Sequence, residues 1–313
     1  MHKRAFTVVE LLALVAVGGA LSVATAAAVR QPRMTSKQVK DGTQLRNIVQ
    51  GMIIFAQGNK DAYPLPSVFD PNDQTVAEKG RAKDTTGNIM STMVYSSMIS
   101  PELLVSPVET NRKIRAHTGY ENVNPKAAVN PANALWDPSL SADFTSPSGG
   151  HISYAHLQPS AGKDGKPNTG RLARWSCTFN ASEALMCNRG PEISSVAYAA
   201  APGPGKDLAE DAATPTYVNA ASNTFGFYPA PAAGGAAWSG NVAWNDNHVD
   251  FLRAHYKPGK PVDTAAFYTG PRGERKPDMA FFDEPDDGAL SNNFLGLFVK
   301  AGNRPADFKP IWD

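Results

Sequence analysis

The chain has 313 residues and a formal net charge of +1, with 30 basic and 29 acidic side chains intermixed along its length. That length is ample for a sizeable core, and the balanced charge argues against nucleic acid as a partner, because no basic stripe dominates the sequence. Charged residues make up only 19%, against a globular norm of about 25%, and 26 glycines and 25 prolines predict a loop-rich domain with short strands rather than a helix bundle.

From Phe6 to Val29 the chain carries no Lys, Arg or Asp, and its single acidic residue is Glu10. At about 1.5 Å per residue this stretch predicts a helix of roughly 36 Å, enough to cross a bilayer core of about 30 Å. His2, Lys3 and Arg4 on the near side predict a cytoplasmic N-terminus. Arg30, Arg33 and Lys37 weaken that bias without reversing it, because the short flank stays behind. The competing reading is a secretory signal peptide cut within Ala24–Ala28. The length of the apolar run and the carboxylate in its first turns count against it. A carboxylate at the bilayer centre costs about 2.5–3.5 kcal/mol, so Glu10 calls for a partner.

Pro32 interrupts or kinks the pattern. Helical spacing then resumes at Leu45, Ile48, Met52 and Phe55, with Val39 and Val49 nearby, and predicts an amphipathic helix laid on a sheet and stopped at Gly58-Asn59. Further on, Met90–Ile99 reads as a helix packed by methionines and Leu103–Pro107 as a short strand. Segment 118–150 reads as a long loop, in which Ser148-Gly149-Gly150-His151 is a turn entering a strand at His151–Leu157. Ala184–Cys187 reads as a buried strand, and 199–216 and 229–240 as irregular Ala/Gly/Pro-rich segments. Val242 and Trp244, then Val249 and Phe251, alternate on either side of Asn245–His248. That pattern predicts a β-hairpin with a tight Asp246-Asn247 turn.

No catalytic constellation stands out. His-Glu-x-x-His, paired Cys-x-x-Cys and Gly-x-Ser-x-Gly are absent, so the sequence predicts no enzyme. Asp246, His248 and Asp250 alternate and could share one face of the hairpin as a metal site, but solvent-facing positions of a hairpin whose other face is core are the favoured reading. Asp283, Asp286 and Asp287 form a denser oxygen-rich loop, expected to be solvated, with Ca²⁺ binding as the alternative. Of the tryptophans, Trp136, Trp175 and Trp238 could serve a ligand if exposed, with core burial the plainer role.

The segment Lys3-Arg4-Ala5-Phe6-Thr7-Val8-Val9-Glu10-Leu11-Leu12, followed by its apolar run, resembles the N-terminal signal of type IV pilins and type II secretion pseudopilins. The resemblance implies that prepilin peptidase cuts between Ala5 and Phe6 and that Phe6 is N-methylated. It makes Glu10 the assembly residue, paired with the Phe6 amine of a neighbouring subunit. Ala5 departs from the Gly usual there. Leu45–Gln50 through Tyr63-Pro64 extends the likeness to about the first 65 residues. Asn241, Trp244, Asp246, His248, Val249 and Phe251 also resemble the signature hairpin of the prepilin-type "H-X9-DG" (DUF1559-like) group. Asn247 stands where that group has Gly, and Ala236 where it has its name-giving His.

The expected fold is therefore α+β and pilin-like, with one long N-terminal helix, half transmembrane and half amphipathic, packed on an antiparallel sheet with long loops. Its parts are a leader at 1–5, a transmembrane helix at 6–29, an amphipathic continuation at 30–58 and an extracytoplasmic domain at 59–313. The expected role is a pseudopilin-like structural subunit of the bacterial inner membrane, single-pass, with its N-terminus cytoplasmic. Its partners are prepilin peptidase and other pseudopilins, met through helix packing at Ala13, Ala16, Gly18, Gly19 and Ala20. The alternative is a tethered extracytoplasmic module that binds polysaccharide or another surface ligand. Export favours a disulfide between Cys177 and Cys187, worth about 3 kcal/mol by loop closure. The resemblance also brings in a structural calcium near the C-terminus as the one cofactor to consider.

Overall fold

The computed structural model describes residues 36–166, 169–198, 208, 213–218, 238–253 and 266–312. The leader, the apolar segment at 6–29 and with them Ala5, Phe6, Glu10 and the small residues from Ala13 to Ala20 lie outside the described residues, as does Ala236.

Helix α1 covers 36–57 and takes its position from its apolar stripe. Leu45, Ile48, Val49, Met52, Ile53, Phe55 and Ala56 are buried in the main core, while Lys37, Val39, Lys40 and Arg46 face solvent. Each large aliphatic side chain so buried contributes about 1.5–3 kcal/mol. Three shorter helices follow: α2 at Pro66–Phe69, α3 at Thr86–Tyr95 and α4 at Gly170–Ala173. Helix α3 starts four residues before the methionine pattern, because the Thr85 side chain caps it by accepting the Asn88 N–H. The strand expected at Leu103–Pro107 is instead a 3₁₀ turn at Pro101–Leu104. Pro101 at its first position presets a helical φ, and this outweighs the β-branched Val105.

Ten strands are described. Six form one antiparallel sheet in the order β10-β9-β1-β2-β5-β6. These are β1 at Tyr154–Leu157, β2 at Ala184–Asn188, β5 at Ser239–Trp244, β6 at Val249–Arg253, β9 at Leu295–Lys300 and β10 at Lys309–Ile311. Two small antiparallel pairs complete the set: β3 at Ile193–Tyr198 with β4 at Ala213–Tyr217, and β7 at Ala266–Thr269 with β8 at Arg275–Asp278. Strands β1, β2 and β5 are buried at every position, as expected of a sheet covered on both faces. Tyr154, Met186 and Ala243 face α1 and the main core, whereas Ala155, Cys187 and Val242 face a second cluster with Trp238, Trp244 and Phe281.

The expected fold needs correction. The first described helix covers 36–57, and among the described residues no helix is long and apolar enough to cross a membrane. Lys37, Lys40, Asp41 and Arg46 interrupt α1 with charge, so its length serves the core of the domain. Among the described residues the structure presents a six-stranded antiparallel sheet with one moderate and three short helices, and the long N-terminal helix of the expected pilin-like fold is not among them.

Candidate functional site

Asp41 lies one helical turn before Leu45, on the apolar stripe of α1, and is fully buried. Its carboxylate accepts hydrogen bonds from Tyr154 Oη at 2.9 Å on β1, Asn188 Nδ2 at 3.2 Å on β2 and Asn241 Nδ2 at 2.6 Å on β5, and from the Ser106 hydroxyl. One side chain thus ties α1 to three adjacent strands and to the loop after the 3₁₀ turn. Burial pushes Asp41 above the usual carboxylate range, and the bonds from Ser106, Asn241, Tyr154 and Asn188 oppose that rise. Asn188 and Asn241 are also joined directly, through the Asn241 N–H to Asn188 Oδ1 at 2.7 Å.

The expected hairpin is present and lies along α1. Strands β5 and β6 pair Asn241 with Phe251, Val242 with Asp250 and Ala243 with Val249. The Asn247 N–H donates to the Trp244 carbonyl at 2.9 Å, and the Trp244 N–H to the His248 carbonyl at 3.0 Å. Among the turn residues Asn247 alone has positive φ, at 69°. This is a three-residue loop closing on a left-handed residue, not a two-residue turn. Asn245 is buried and anchors the tip: Tyr63 Oη donates to its Oδ1 at 2.8 Å, and its Nδ2 donates to the Ser176 carbonyl at 2.9 Å. Asn241 at the base reaches Asp41, and Asn247 at the tip donates to Gln50 Oε1 at 2.8 Å, so α1 holds both ends.

Trp244 packs in the second cluster, with the half-exposed His248 ring stacked against it at 5.5 Å between centroids. The His248 ring lies between Asp246, on Nδ1, and Asp250, 3.3 Å from Nε2. Slight burial raises Asp246, but the bonds from the backbone and ring of His248 leave it below its ordinary value. Phe251 is half-buried.

The acidic loop is organised around an arginine. Arg171 of α4 is fully buried; its Nη1 donates to Gln158 Oε1 at 2.7 Å and its Nε to the Asn292 carbonyl at 3.2 Å, while Nη2 meets Asp283 and the Asn292 side chain. Asp286 takes Lys276 Nζ at 2.5 Å. Asp287 closes its own loop, accepting the Asn292 N–H at 2.7 Å and the Ala289 N–H at 3.1 Å. The three carboxylates proposed for calcium thus have three destinations, and among the described residues no three His, Cys, Asp or Glu side chains gather to hold a metal. Beneath them Asp278 and Glu284 are buried carboxylates, both raised by desolvation.

The expected Cys177–Cys187 disulfide is corrected: both thiols are free. Cys187 points into the second cluster and Cys177 packs against the main core, so the two are directed to different clusters. Trp136, Trp175 and Trp238 are buried and offer no ligand-facing aromatic surface.

Sequence reasoning missed Asp41, Arg171 and the fully buried His156. A signal existed for Asp41, since a carboxylate in register with Leu45, Ile48 and Met52 on an apolar stripe needs partners. Nothing local marks Arg171. His156 Nδ1 lies 2.8 Å from the Leu157 carbonyl, which fixes the proton there, so Nε2 accepts from Thr86 Oγ1 at 2.8 Å. Thr86 Oγ1 in turn accepts the Phe298 N–H at 2.7 Å. Burial lowers His156 to about 4. Compared with family models, curated proteins and solved structures, the chain finds no match.

Proposed function

We propose that this chain is a pseudopilin-like structural subunit of a type II secretion or type IV pilus-like system, anchored in the bacterial inner membrane by its apolar segment with the domain on the outer side. The observation that carries this reading is the run Lys3-Arg4-Ala5-Phe6-Thr7-Val8-Val9-Glu10 ahead of Leu11–Val29. Prepilin peptidase would cut it before Phe6. Glu10 would then pair with the methylated Phe6 amine of a neighbouring subunit, since a carboxylate in lipid is tolerated when matched by a cation.

The domain geometry supports the reading in a second way. A subunit that packs through its N-terminal segment must pass force from that segment to the domain. The chain leaves the segment into α1, whose Asp41 and Gln50 grip both ends of the Asn241–Phe251 hairpin. The test is mass spectrometry of the mature N-terminus together with a Glu10→Ala variant. The expected outcome is a chain starting at methylated Phe6, with the variant inserted in the membrane but unassembled. A mature chain that begins beyond Ala24 overturns the reading.

A further inference from the structure

The run Arg112-Lys113-Ile114-Arg115-Ala116-His117 puts three permanent cations and a histidine into six residues. In the fold this run, apart from the core residue Ile114, forms one wall of a cavity of about 490 Å³, and Ser139 with 147–151 form the other. The two walls are zippered by backbone. The Gly150 N–H donates to the Lys113 carbonyl at 3.0 Å, and the Arg115 N–H to the Gly150 carbonyl at 3.0 Å. Gly149 sits at φ +79°, where a Cβ would lie 2.4 Å from the Lys113 carbonyl oxygen, so only glycine fits this seam.

The chemistry of the lining has one sign. Arg112, Lys113 and Arg115 are exposed, enter no ion pair among the described residues, and have no Asp or Glu beside them in the cavity wall. Two histidines also line the cavity, their rings 4.6 Å apart. His151 Nδ1 accepts the Ser141 N–H at 3.0 Å, which places the ring proton on Nε2, and no hydrogen bond among the described residues uses that atom. Burial and the nearby His117 lower His151, while the Ser141 backbone contact and Asp137 oppose them. Asp137 itself is engaged, accepting from Ser139 Oγ at 2.6 Å and the Glu121 N–H at 2.9 Å. Because Ser139 donates there, it receives the His117 Nε2 proton, at 3.0 Å.

We propose that this cavity binds a small ligand carrying a phosphate or sulfate group, with Arg112 and Arg115 on the oxyanion, His151 Nε2 as a neutral donor, and Lys113 adding charge at the rim. The assignment stands apart from the assembly role, since no residue of the Asp41 junction lines the cavity. Guanidinium groups match tetrahedral oxyanions bidentately, which a lone ammonium does not. The volume falls in the range of about 300–1,000 Å³ typical of small-molecule sites and accommodates a phosphorylated monosaccharide. A single pocket of three cations on a chain of net charge +1 suits a compact anion better than an extended polyanion.

The test is titration calorimetry on the full chain in detergent micelles, with glucose 6-phosphate, glycerol 3-phosphate (the soluble counterpart of a lipid headgroup) and glucose as probes. Saturable binding of either phosphate ester is expected, with glucose silent; which ester binds tighter separates a sugar source from a lipid one. Arg112→Gln should weaken binding about tenfold and Arg112→Gln with Arg115→Gln should abolish it, while Lys60→Gln, on the loop after α1, leaves it unchanged. Arg112→Gln decides alone should the double variant not fold, because the Arg112 side chain makes no hydrogen bond among the described residues. The His151 ring nitrogen resonances should also move on adding glucose 6-phosphate. Glucose binding as tightly as its phosphate, unchanged affinity in Arg112→Gln, or no saturable binding of either ester would overturn the proposal.

Discussion

At the scale of single residues, Asp41 shows how one carboxylate organises an interface. Removing it leaves the Tyr154 hydroxyl and the Asn188 amide as buried donors without that acceptor, and leaves the Asn241 amide only the Gln38 carbonyl at 3.2 Å. Asp41→Ala is expected to lose about 2–4 kcal/mol of stability, and Asp41→Asn less, about 1–2, because one oxygen still accepts. Urea unfolding of both variants checks the order. His156 gives a pH prediction of definite sign. Its folded value of about 4 lies below the ordinary 6.5, so the unfolded chain takes up the proton first as pH falls. Its contribution is therefore complete above about pH 6.5 and is lost toward pH 4, by about 3 kcal/mol in all. Asp41, Asp278 and Glu284 are raised, so their contributions are present at low pH and lost as pH rises through their folded values. These oppose the histidine in the wild-type curve, while the lowered Asp70 and Glu109 act with it, and the difference between wild type and His156→Gln isolates the histidine. That difference should shrink by about 2–3 kcal/mol between pH ~7 and pH ~4.5; a constant difference would mean that His156 charges within the fold.

At the scale of elements, the hairpin was the best-predicted feature and also the one most refined. Alternating Val242, Trp244, Val249 and Phe251 announced both strands, because a period of two is a local property of the backbone. The turn type was not legible. Asp and Asn both tolerate positive φ, and only the docking of Asn245 under Tyr63 and Thr178 selects the loop that places Asn247 alone in the left-handed region. Asn247→Val should lower the midpoint of thermal unfolding, costing about 1–2 kcal/mol for a β-branched residue at that φ. Asn247→Gly should avoid the backbone cost while still losing the Gln50 contact. Helix α1 was likewise visible from its stripe, whereas α3 began earlier than its methionines suggested because a capping threonine, not hydrophobicity, set its start.

At the scale of the whole molecule, the two cysteines separate what sequence spacing allows from what the sheet permits. Ten positions apart, they could close a loop, yet β2 directs Cys187 into the cluster opposite the one that Cys177 meets. Burial also raises the Cys187 thiol well above its ordinary value, which suppresses the reactive thiolate. Under native conditions without reductant, thiol labelling is expected to reach Cys177 first and to leave Cys187 untouched. In denaturant, still without reductant, both should label. A chain showing no free thiol in denaturant would establish the bridge instead.

By itself the sequence determined the apolar N-terminal run with its lone Glu10, the amphipathic stripe of α1, the strands at β1 and β2, and the hairpin of β5 and β6. Each is a periodicity or a composition, written into neighbouring residues. Only the tertiary structure decided that Asp41 meets three strands, that Arg171 pairs with Asp283, that the thiols face different clusters, and that the basic run 112–117 faces His151 across a cavity. Those pairings join residues from about 34 to 200 positions apart. Local propensity carries no information about such contacts, because burial and hydrogen-bond satisfaction act on whatever the packed sheet brings together.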